Sequence, residues 1–498
     1  MNGREAPLRE PPPPPAGAVQ IAGLHRVLGT FDVVLLNVAA IISFRWLAVA
    51  AQVGPSSLTL WALGLLTFFV PSALTVLELN SRLPGEGGMY VWSKTAFGDV
   101  HAFIVGWSYW VGNLVFFPSI LLFAAGVFLY SHDGWLKFAD SASYNAAFSL
   151  TVLWLAIILN VFGLERAKWL QNIGGIATWM AGALVLIGGI LAWHKFGSAT
   201  HFGARSLAPD VGSMATFASF STMALAYLGL ELGPVMGGEI KNARRSIARA
   251  LLVSCVLITV IYIAGTAALL IALPAGEINL ISGIPQALAA VGARLGIGSF
   301  GVIAAVLLTV SQIGSLGAWI SGTARLPFLF GLDRYLPEAL GAVHPRFGSP
   351  YVALLTQGVL TTLVLLAALS GSAIHEAFIA LIDMSMILSF VPLLYMFAAL
   401  PVLRRRADAR AADVILIPGG LPVCWLVAGT GMATLLLGIV VAMVPPTDSV
   451  GPWLFGSKVV GGCFVMIAVG LLFYGRGRRA AAARKLLQAD TMKGPAGS

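Results

Sequence analysis

Residues 225–239 read LAYLGLELGPVMGGE and lie within an apolar stretch that is long enough to cross a membrane. The segment contains four glycines, one proline and two glutamates. Proline removes a backbone donor and clashes with the preceding helical turn, and each glycine destabilises a helix interior by about 1 kcal/mol relative to alanine. Interrupted helix at membrane depth is tolerated only against protein or beside a water-lined cavity. The segment therefore predicts a broken membrane helix that offers free backbone groups to a ligand and can act as a joint.

Similar apolar segments recur along the whole chain of 498 residues, of which 58% are hydrophobic and only 10% charged. Soluble domains carry about 25% charged residues, whereas about 20 apolar residues in a helix cross a bilayer core. The sequence predicts an all-α integral membrane protein with twelve transmembrane helices. The predicted spans are 28–53, 58–81, 99–130, 145–163, 173–193, 213–238, 250–273, 299–324, 350–369, 376–400, 421–444 and 455–475.

The loops between these spans are short, so no separate soluble domain is predicted. Residues 1–24 include a run of prolines and are expected to form a disordered cytoplasmic tail. Residues 25–475 form the predicted transmembrane domain, and residues 476–498 form a basic cytoplasmic tail. The basic tail either remains solvated or lies as an amphipathic helix against membrane lipid.

The net charge of +9 is distributed unevenly between the two sides of the predicted membrane domain. Most of the 30 Lys and Arg residues fall in alternate loops and in the two tails, and the intervening loops hold only Lys137, Lys195, Arg205, Arg294 and Lys458. Cytoplasmic loops are enriched in Lys and Arg. The pattern predicts a multi-pass protein of the cytoplasmic membrane with both termini in the cytoplasm, and it accounts for the basic charge without a nucleic-acid partner.

Motifs for catalysis and metal binding are absent from the sequence. It contains no G-x-S-x-G, P-loop or H-E-x-x-H pattern. Cys255, Cys424 and Cys463 lie in apolar stretches without metal-ligand spacing and are predicted to be buried small side chains. We therefore predict no enzyme activity, no metal site and no cofactor.

Two glutamates in the opening segment are candidates for proton coupling or gating. An ionised carboxylate at membrane depth is costly, so an intramembrane acid such as Glu231 is a candidate proton carrier or cation partner. The structural alternative is a hydrogen bond from Glu231 to a neighbouring helix. Glu239 lies near Lys241 and Arg244, where it belongs either to a gate or to an ordinary interfacial charge cluster.

Further polar and aromatic residues fall inside predicted spans. Arg45 requires a partner, either Glu231 or a substrate carboxylate, unless it extends into an outer vestibule. Asp383 is a second intramembrane acid. Ser385 and Ser389 follow it on one helical face, where they either contact substrate or bond carbonyls of their own helix.

Three longer stretches carry a family resemblance. They are LPGEGGMYVWSKTAFGDVHAFIVGWSYWVGN (83–113), YLGLELGPVMGGEIKNARRSIARA (227–250) and GTARLPFLFGLDRYLPEALGAVHPRFGSPY (322–351). Together they resemble the amino acid–polyamine–organocation superfamily of permeases. The resemblance implies a LeuT-like fold with a five-plus-five inverted repeat and two additional helices. It also implies a central site between helices one, three, six, eight and ten.

The resemblance further implies individual site residues. Glu231 corresponds to a glutamate that several members have after the break in helix six, and Tyr227 and Gly229 lie at that break. Asn113 and Phe116 fall on the substrate side of helix three, and Trp319 falls where antiporters place an aromatic ring against substrate.

Two features depart from the family pattern. Members commonly break helix one at a G-S-G-like motif that binds a substrate carboxylate through backbone amides. The corresponding residues here are Ala40, Ile41, Ile42 and Ser43, and no glycine occurs between Phe31 and Val53, so the break signal in span one is weak. Arg45 is an alternative carboxylate partner. Thr178 occupies the position of the lysine that proton-coupled members often have in helix five.

The function predicted from these residues is secondary transport of an amino acid by alternating access, coupled to protons or operating by exchange. The first alternative is a polyamine or organic cation carrier in which Glu231 and Asp383 bind ammonium groups. Arg45 disfavours that alternative because it repels a cation unless it is paired. The second alternative is a non-transporting membrane sensor on the same fold, which the lack of an appended signalling domain disfavours.

Overall fold

The structure is a computed structural model. It describes residues 24–278, 283–370, 372–406, 414–443 and 452–492. Within these ranges, the side chains of residues 133, 372–383, 452–459 and 481–492 are outside the description. The predicted tail at 1–24 therefore falls outside the described residues except for Leu24, and the side chain of Asp383 is also outside them.

All regular elements in the described ranges are helical, apart from two isolated β-bridges. The first two helices along the chain are Thr30–Ile41 and Phe44–Val53. The helix Ser56–Arg82 contains a π-helical turn at Leu65–Phe69. The other helices of eight or more residues are Met89–Phe97, Asp99–Phe128, Ala142–Val161, Leu164–Phe196, Met214–Leu225, Ala243–Ala272, Gly283–Leu295, Phe300–Thr323, Arg325–Leu332, Tyr351–Ala368, Ser372–Arg406, Gly420–Ala442 and Pro452–Met492.

Many of these helices are built to cross a membrane. In the described ranges, ten are long and apolar enough to do so, and the bent pair Thr30–Ile41 and Phe44–Val53 makes an eleventh if it is counted as one span. Met214–Leu225 is apolar but has only 12 residues before its helix is interrupted. The chain is a multi-pass helical membrane protein, and the count of twelve spans stays a prediction.

Small residues allow two long central helices to approach closely. A Cβ added at Gly174 would collide with the backbone of Gly314, and the reverse is also true. Close backbone approach through glycine is a common way for membrane helices to associate, because lipid supplies little hydrophobic driving force. This contact fixes Phe300–Thr323 against Leu164–Phe196 and thereby positions Trp319, which lies one and a half turns further along.

One end of the bundle is closed by three segments that pair through their backbones. The amides of Val27 and Leu28 donate to the carbonyl of Glu239 at 2.9 and 3.1 Å, and the amide of Lys241 donates to the carbonyl of Leu28 at 2.8 Å. The amide of Gly87 donates to the carbonyl of Val235 at 2.9 Å. We refer to this end, where residues 27–29, 85–88 and 235–241 meet, as the N-terminal face. The other end is the opposite face.

Candidate functional site

The helix pair at the start of the chain is broken in its middle. Thr30–Ile41 and Phe44–Val53 differ in direction by 44°, and we name the pair the first broken helix. The break consists of Ile42 and Ser43, which have φ values of −73° and −115° and extended ψ values. Any L-residue adopts these angles. The break signal in this segment is weak because an extended interruption requires no glycine.

Side chains from distant helices bind the carbonyl groups that this break leaves free. The hydroxyl of Tyr262 lies 2.5 Å from the carbonyl oxygen of Ile41 and 3.4 Å from the amide of Ser43. The indole Nε1 of Trp319 donates to the carbonyl of Ala40 at 3.0 Å. Unpaired carbonyls are costly at membrane depth, so these contacts stabilise the interruption.

The second interruption follows Met214–Leu225 and ends at the short helix Leu232–Val235, and we name this region the second broken helix. Gly229 has a φ of +129°, a conformation that L side chains rarely adopt. A Cβ at this position would lie 2.7 Å from Cγ1 of Ile41, so the two breaks touch. The break predicted from residues 225–239 is present.

The carboxylate of Glu231 lies at this second break and is almost fully buried. It accepts hydrogen bonds from the hydroxyl of Tyr109 at 3.0 Å and from the amide of Gly229 at 3.1 Å. Tyr262 also bonds the second break, since its hydroxyl lies 2.9 Å from the carbonyl oxygen of Ala226. One tyrosine therefore connects both interruptions.

A cavity of about 120 Å³ lies between the two breaks. This volume is well above the roughly 10–15 Å³ that a single water molecule needs. Most of the site residues proposed from the sequence line it. They are Ala40, Ile41, Ser43, Arg45, Asn113, Phe116, Glu231, Trp319, Ser385 and Ser389.

Four of the proposed site residues do not line the cavity. Ile42 is buried in the apolar core behind the first break. Tyr227 stacks on Phe69 with ring centroids 4.4 Å apart, so it belongs to an aromatic cluster beside the break. Gly229 shapes the cavity through its backbone only. Glu239 lies at the N-terminal face.

The hydroxyl of Ser389 donates to the carbonyl of Ser385 at 2.9 Å, so the bond within its own helix is present, although both serines line the cavity. The substrate contact and the intrahelical bond considered for the serines are therefore compatible with each other.

Thr178, at the position of the family lysine, does not line the cavity, and its hydroxyl donates to the carbonyl of Gly174 at 2.8 Å.

Several polar lining residues were missed by the sequence reasoning. Tyr109, Gln312 and Ser315 face the cavity. Helical spacing could have identified them, since Tyr109 is four residues before Asn113, and Gln312 and Ser315 are seven and four residues before Trp319. The Oε1 atom of Gln312 is buried and has no hydrogen-bond partner among the described residues. It is an unused acceptor at the cavity wall.

Opposite charges face this cavity without pairing with each other. The guanidinium of Arg45 lies 4.5 Å from the centre of the Trp46 ring, and it forms no ion pair or hydrogen bond with any side chain that the structure describes. Glu231 likewise has no cationic partner in the described part of the chain; its partners are a hydroxyl and an amide. The pairing of Arg45 with Glu231, one of the alternatives considered for Arg45, is not formed among the described side chains.

Aromatic rings border the cavity beside Glu231. The Trp319 ring centroid lies 6.1 Å from that of Phe116 and 6.2 Å from that of Tyr109. Trp319 is buried on all sides except toward the cavity. The aromatic border and the two breaks together define a small, mostly apolar chamber with a few polar groups, the usual composition of a small-molecule site.

Comparison with known proteins identifies the family to which this chain belongs. Residues 28–475 match the family model described as amino acid permease. The chain belongs to the amino acid permease family. The superfamily resemblance inferred from the three sequence motifs is confirmed, and the permease is a transporter rather than an enzyme.

Three relatives cover most of the permease. An uncharacterized transporter of Legionella pneumophila is 30% identical over 90% of this chain and 96% of its own. The serine/threonine exchanger SteT of Bacillus subtilis is 28% identical over 80% of this chain and 88% of its own. A probable agmatine/putrescine antiporter, AguD of Lactococcus lactis, is 21% identical over 83% of this chain and 87% of its own.

Proposed function

We propose that this permease carries a small amino acid across the cytoplasmic membrane, as a zwitterion, through the cavity between its two broken helices. The observation that carries the proposal is the pair of opposite charges at the cavity wall. Arg45 and Glu231 both line the cavity, and neither has an oppositely charged partner among the described side chains. A zwitterion supplies one complementary group to each.

The first break supports carboxylate binding near Arg45. Phe44–Val53 begins at the break, and Ser43 and Arg45 line the cavity at that point. The first amides of a helix lack intrahelical partners, and the positive end of the helix dipole favours an anion there. Half-helices in transporters commonly direct these ends at anionic substrate groups. The extended break at Ile42 and Ser43 can therefore take the place of the family's glycine motif.

The second break supports ammonium binding near Glu231. Gln312, whose Oε1 has no hydrogen-bond partner among the described residues, and Glu231 both line the cavity. The rings of Trp319 and Phe116 lie beside them, and aromatic faces attract cations. The cavity volume of about 120 Å³ suits a small side chain, and the similarity to a serine/threonine exchanger supports the same size class.

Alternating access completes the proposal. Twelve spans, a five-plus-five inverted repeat with two additional helices, and both termini in the cytoplasm accommodate the helices described above and the distribution of Lys and Arg. The two broken helices move relative to the rest, and Glu231 gains and loses a proton or operates in exchange. Asp383 remains a further candidate for proton coupling, and Glu239 for gating.

A polyamine carrier is the alternative that a specific observation favours. The relative AguD is a probable agmatine/putrescine antiporter, and Glu231 can bind an ammonium group. Arg45 argues against this alternative, because a guanidinium that lacks a carboxylate partner among the described side chains repels a dication.

A thermal-shift screen of the purified permease against amino acids and polyamines, at two pH values and in sodium and potassium buffers, tests the proposal. A ligand that binds only the folded state adds about 2.7 kcal/mol at 100 times its Kd. We expect a small neutral amino acid to stabilise the wild type. We expect Arg45→Gln and Glu231→Gln to lose that stabilisation.

Arg205→Gln is the matched control for Arg45→Gln, because it removes one positive charge at an exposed position outside the cavity. It should retain the full ligand-induced shift. Stabilisation by polyamines alone would replace the amino acid with the alternative substrate. An amino acid that stabilises both cavity variants as much as the wild type would show that the charge pair does not bind it.

A further inference from the structure

A second group of charged side chains is buried at the N-terminal face, outside the central cavity. It consists of Glu86, Glu239 and Arg325, and we name it the gate cluster. Each of its side chains is at most 2% exposed. Arg325 Nη2 lies 2.6 Å from Glu239 Oε2, and Arg325 Nε donates to the same oxygen at 2.8 Å. Two nitrogens of Arg325 therefore contact the carboxylate of Glu239.

Glu86 is the incompletely paired member of the gate cluster. Its Oε2 accepts a hydrogen bond from the amide of Gly238 at 2.8 Å. Its Oε1 lies 3.7 Å from Arg325 Nε, beyond hydrogen-bond distance, and has no hydrogen-bond partner among the described residues. Two carboxylates thus share one guanidinium in a fully buried place, and an uncompensated buried charge is strongly destabilising.

A carboxylate on the same face illustrates full compensation. Glu78 is also buried, and its Oε1 accepts bonds from Arg82 at 2.8 and 3.1 Å. Its Oε2 accepts bonds from Arg404 and, at 2.9 Å, from the amide of Ile417. One carboxylate there has two guanidinium partners, whereas the gate cluster has the reverse ratio.

We infer that the gate cluster binds one proton, held by the Glu86–Glu239 pair while the N-terminal face is closed, and releases it when that face opens. Glu86 lies in the loop 83–88, Glu239 follows the second broken helix, and Arg325 begins the helix Arg325–Leu332. Opening at this face requires these three segments to separate. Separation exposes Glu86 to water, where it ionises.

A route for proton exchange with the N-terminal face is present. Glu239 contributes to a second cavity of about 140 Å³ on that face, distinct from the central one. The other charged or titratable groups that line it are His25, Glu165, Arg166 and Arg346. Because Glu239 touches this cavity and Glu86 adjoins Glu239, a proton can reach the pair without crossing the substrate cavity.

The electrostatics of Glu86 agree with this assignment. Burial, and secondly the carboxylate of Glu239, raise the pKa of Glu86 to about 8, although Arg325 and the Gly238 amide act in the opposite direction. The folded protein then binds more protons at Glu86 than the unfolded chain does, between the ordinary pKa of 4.5 and about 8. Stability contributed by this proton is present at low pH and is lost as pH rises through that window.

Thermal unfolding of the purified permease at about pH 6 and about pH 9, without ligand, tests the inference. Glu86→Gln resembles the protonated acid, so we expect it to unfold near the wild-type temperature at the lower pH and above it at the higher pH. Glu165→Gln removes an exposed carboxylate from the same cavity rim and should leave the wild-type pH dependence unchanged. A Glu86→Gln protein that is equally destabilised at both pH values would contradict the inference, and if that variant fails to fold, the measurement on the unaltered Glu86 below decides.

An infrared measurement keeps the inference testable without altering Glu86. In a Glu231→Gln background, which removes the cavity carboxylate, we expect the carbonyl stretching band of a protonated carboxylic acid at about pH 6 and its loss as pH rises to about 9. No change in such a band over this range would overturn the inference. Release of the proton on opening of the N-terminal face rests on the proposed transport function, whereas binding of the proton to the gate cluster does not. Neither measurement uses a substrate, so a failure here is distinguishable from a failure of the ligand screen.

Discussion

The second broken helix turns through Gly229 at a φ of +129°, whereas the first is interrupted at Ile42 and Ser43 with both residues extended. The second break has a hydrogen bond within its own segment, from the amide of Gly229 to the carboxylate of Glu231 two residues away, in addition to its contacts with Tyr109 and Tyr262. The first break is bonded by Tyr262 and other distant side chains. A break with a φ near +129° strongly favours glycine in its own segment, whereas the extended break is stabilised by side chains from distant segments.

Gly229→Ala should have the largest effect on the protein. Positive φ costs an L-residue about 1–3 kcal/mol, and the new Cβ would lie 2.7 Å from Cγ1 of Ile41. We expect a lower unfolding temperature and loss of ligand binding, measured on purified protein. Gly233→Ala is the matched control, because its Cβ would meet its nearest neighbour, Val33, at an ordinary 3.6 Å. Equal stability of the two variants would show that the second break does not depend on glycine.

Tyr262→Phe should have the next largest effect. It removes the one hydroxyl that contacts the carbonyls of Ile41 and Ala226 and the amide of Ser43. A buried polar group left without its partner costs about 1–3 kcal/mol. The stacking of this ring on Trp61, with centroids 4.4 Å apart, is retained. We expect a lower unfolding temperature and weaker ligand binding.

Tyr227→Phe supplies the control for that substitution. The hydroxyl of Tyr227 lies 3.5 Å from the carbonyl of Trp61, at the limit of a hydrogen bond, and the same aromatic cluster contains both tyrosines. Its loss should change stability much less. If both variants lower the unfolding temperature equally, the loss of stability comes from the aromatic cluster rather than from the contacts of the Tyr262 hydroxyl with both breaks.

The same contrast explains how much of this molecule was predictable. The helical membrane fold and the second break followed from composition and from Gly229, which act within a single segment. Asn113 and Phe116, which the family resemblance places on the substrate side of helix three, both line the cavity. Ile42, by contrast, is buried in the apolar core and does not line the cavity.

Contacts that join distant segments could not be predicted from one sequence. Tyr262 is separated from Ile41 by 221 residues, and Arg325 is separated from Glu239 by 86. Arg325 directly follows the predicted span 299–324, a position typical of a loop cation, yet it is 2% exposed. Periodicity and hydropathy carry no information about which buried charge contacts which, so the gate cluster is evident only in the three-dimensional structure.

Ser43→Ala should change the protein least, and it tests whether the first break depends on the Ser43 side chain. The first break uses the amide of Ser43, 3.4 Å from the Tyr262 hydroxyl, while the Ser43 hydroxyl has no hydrogen bond among the described residues and faces the cavity. Substitutions that remove no buried contact usually change stability by no more than about 0.5 kcal/mol. We expect an unchanged unfolding temperature without ligand and a reduced ligand-induced shift, because the hydroxyl is available to substrate alone. A large loss of stability in the absence of ligand would mean that the first break, like the second, depends on a side chain of its own.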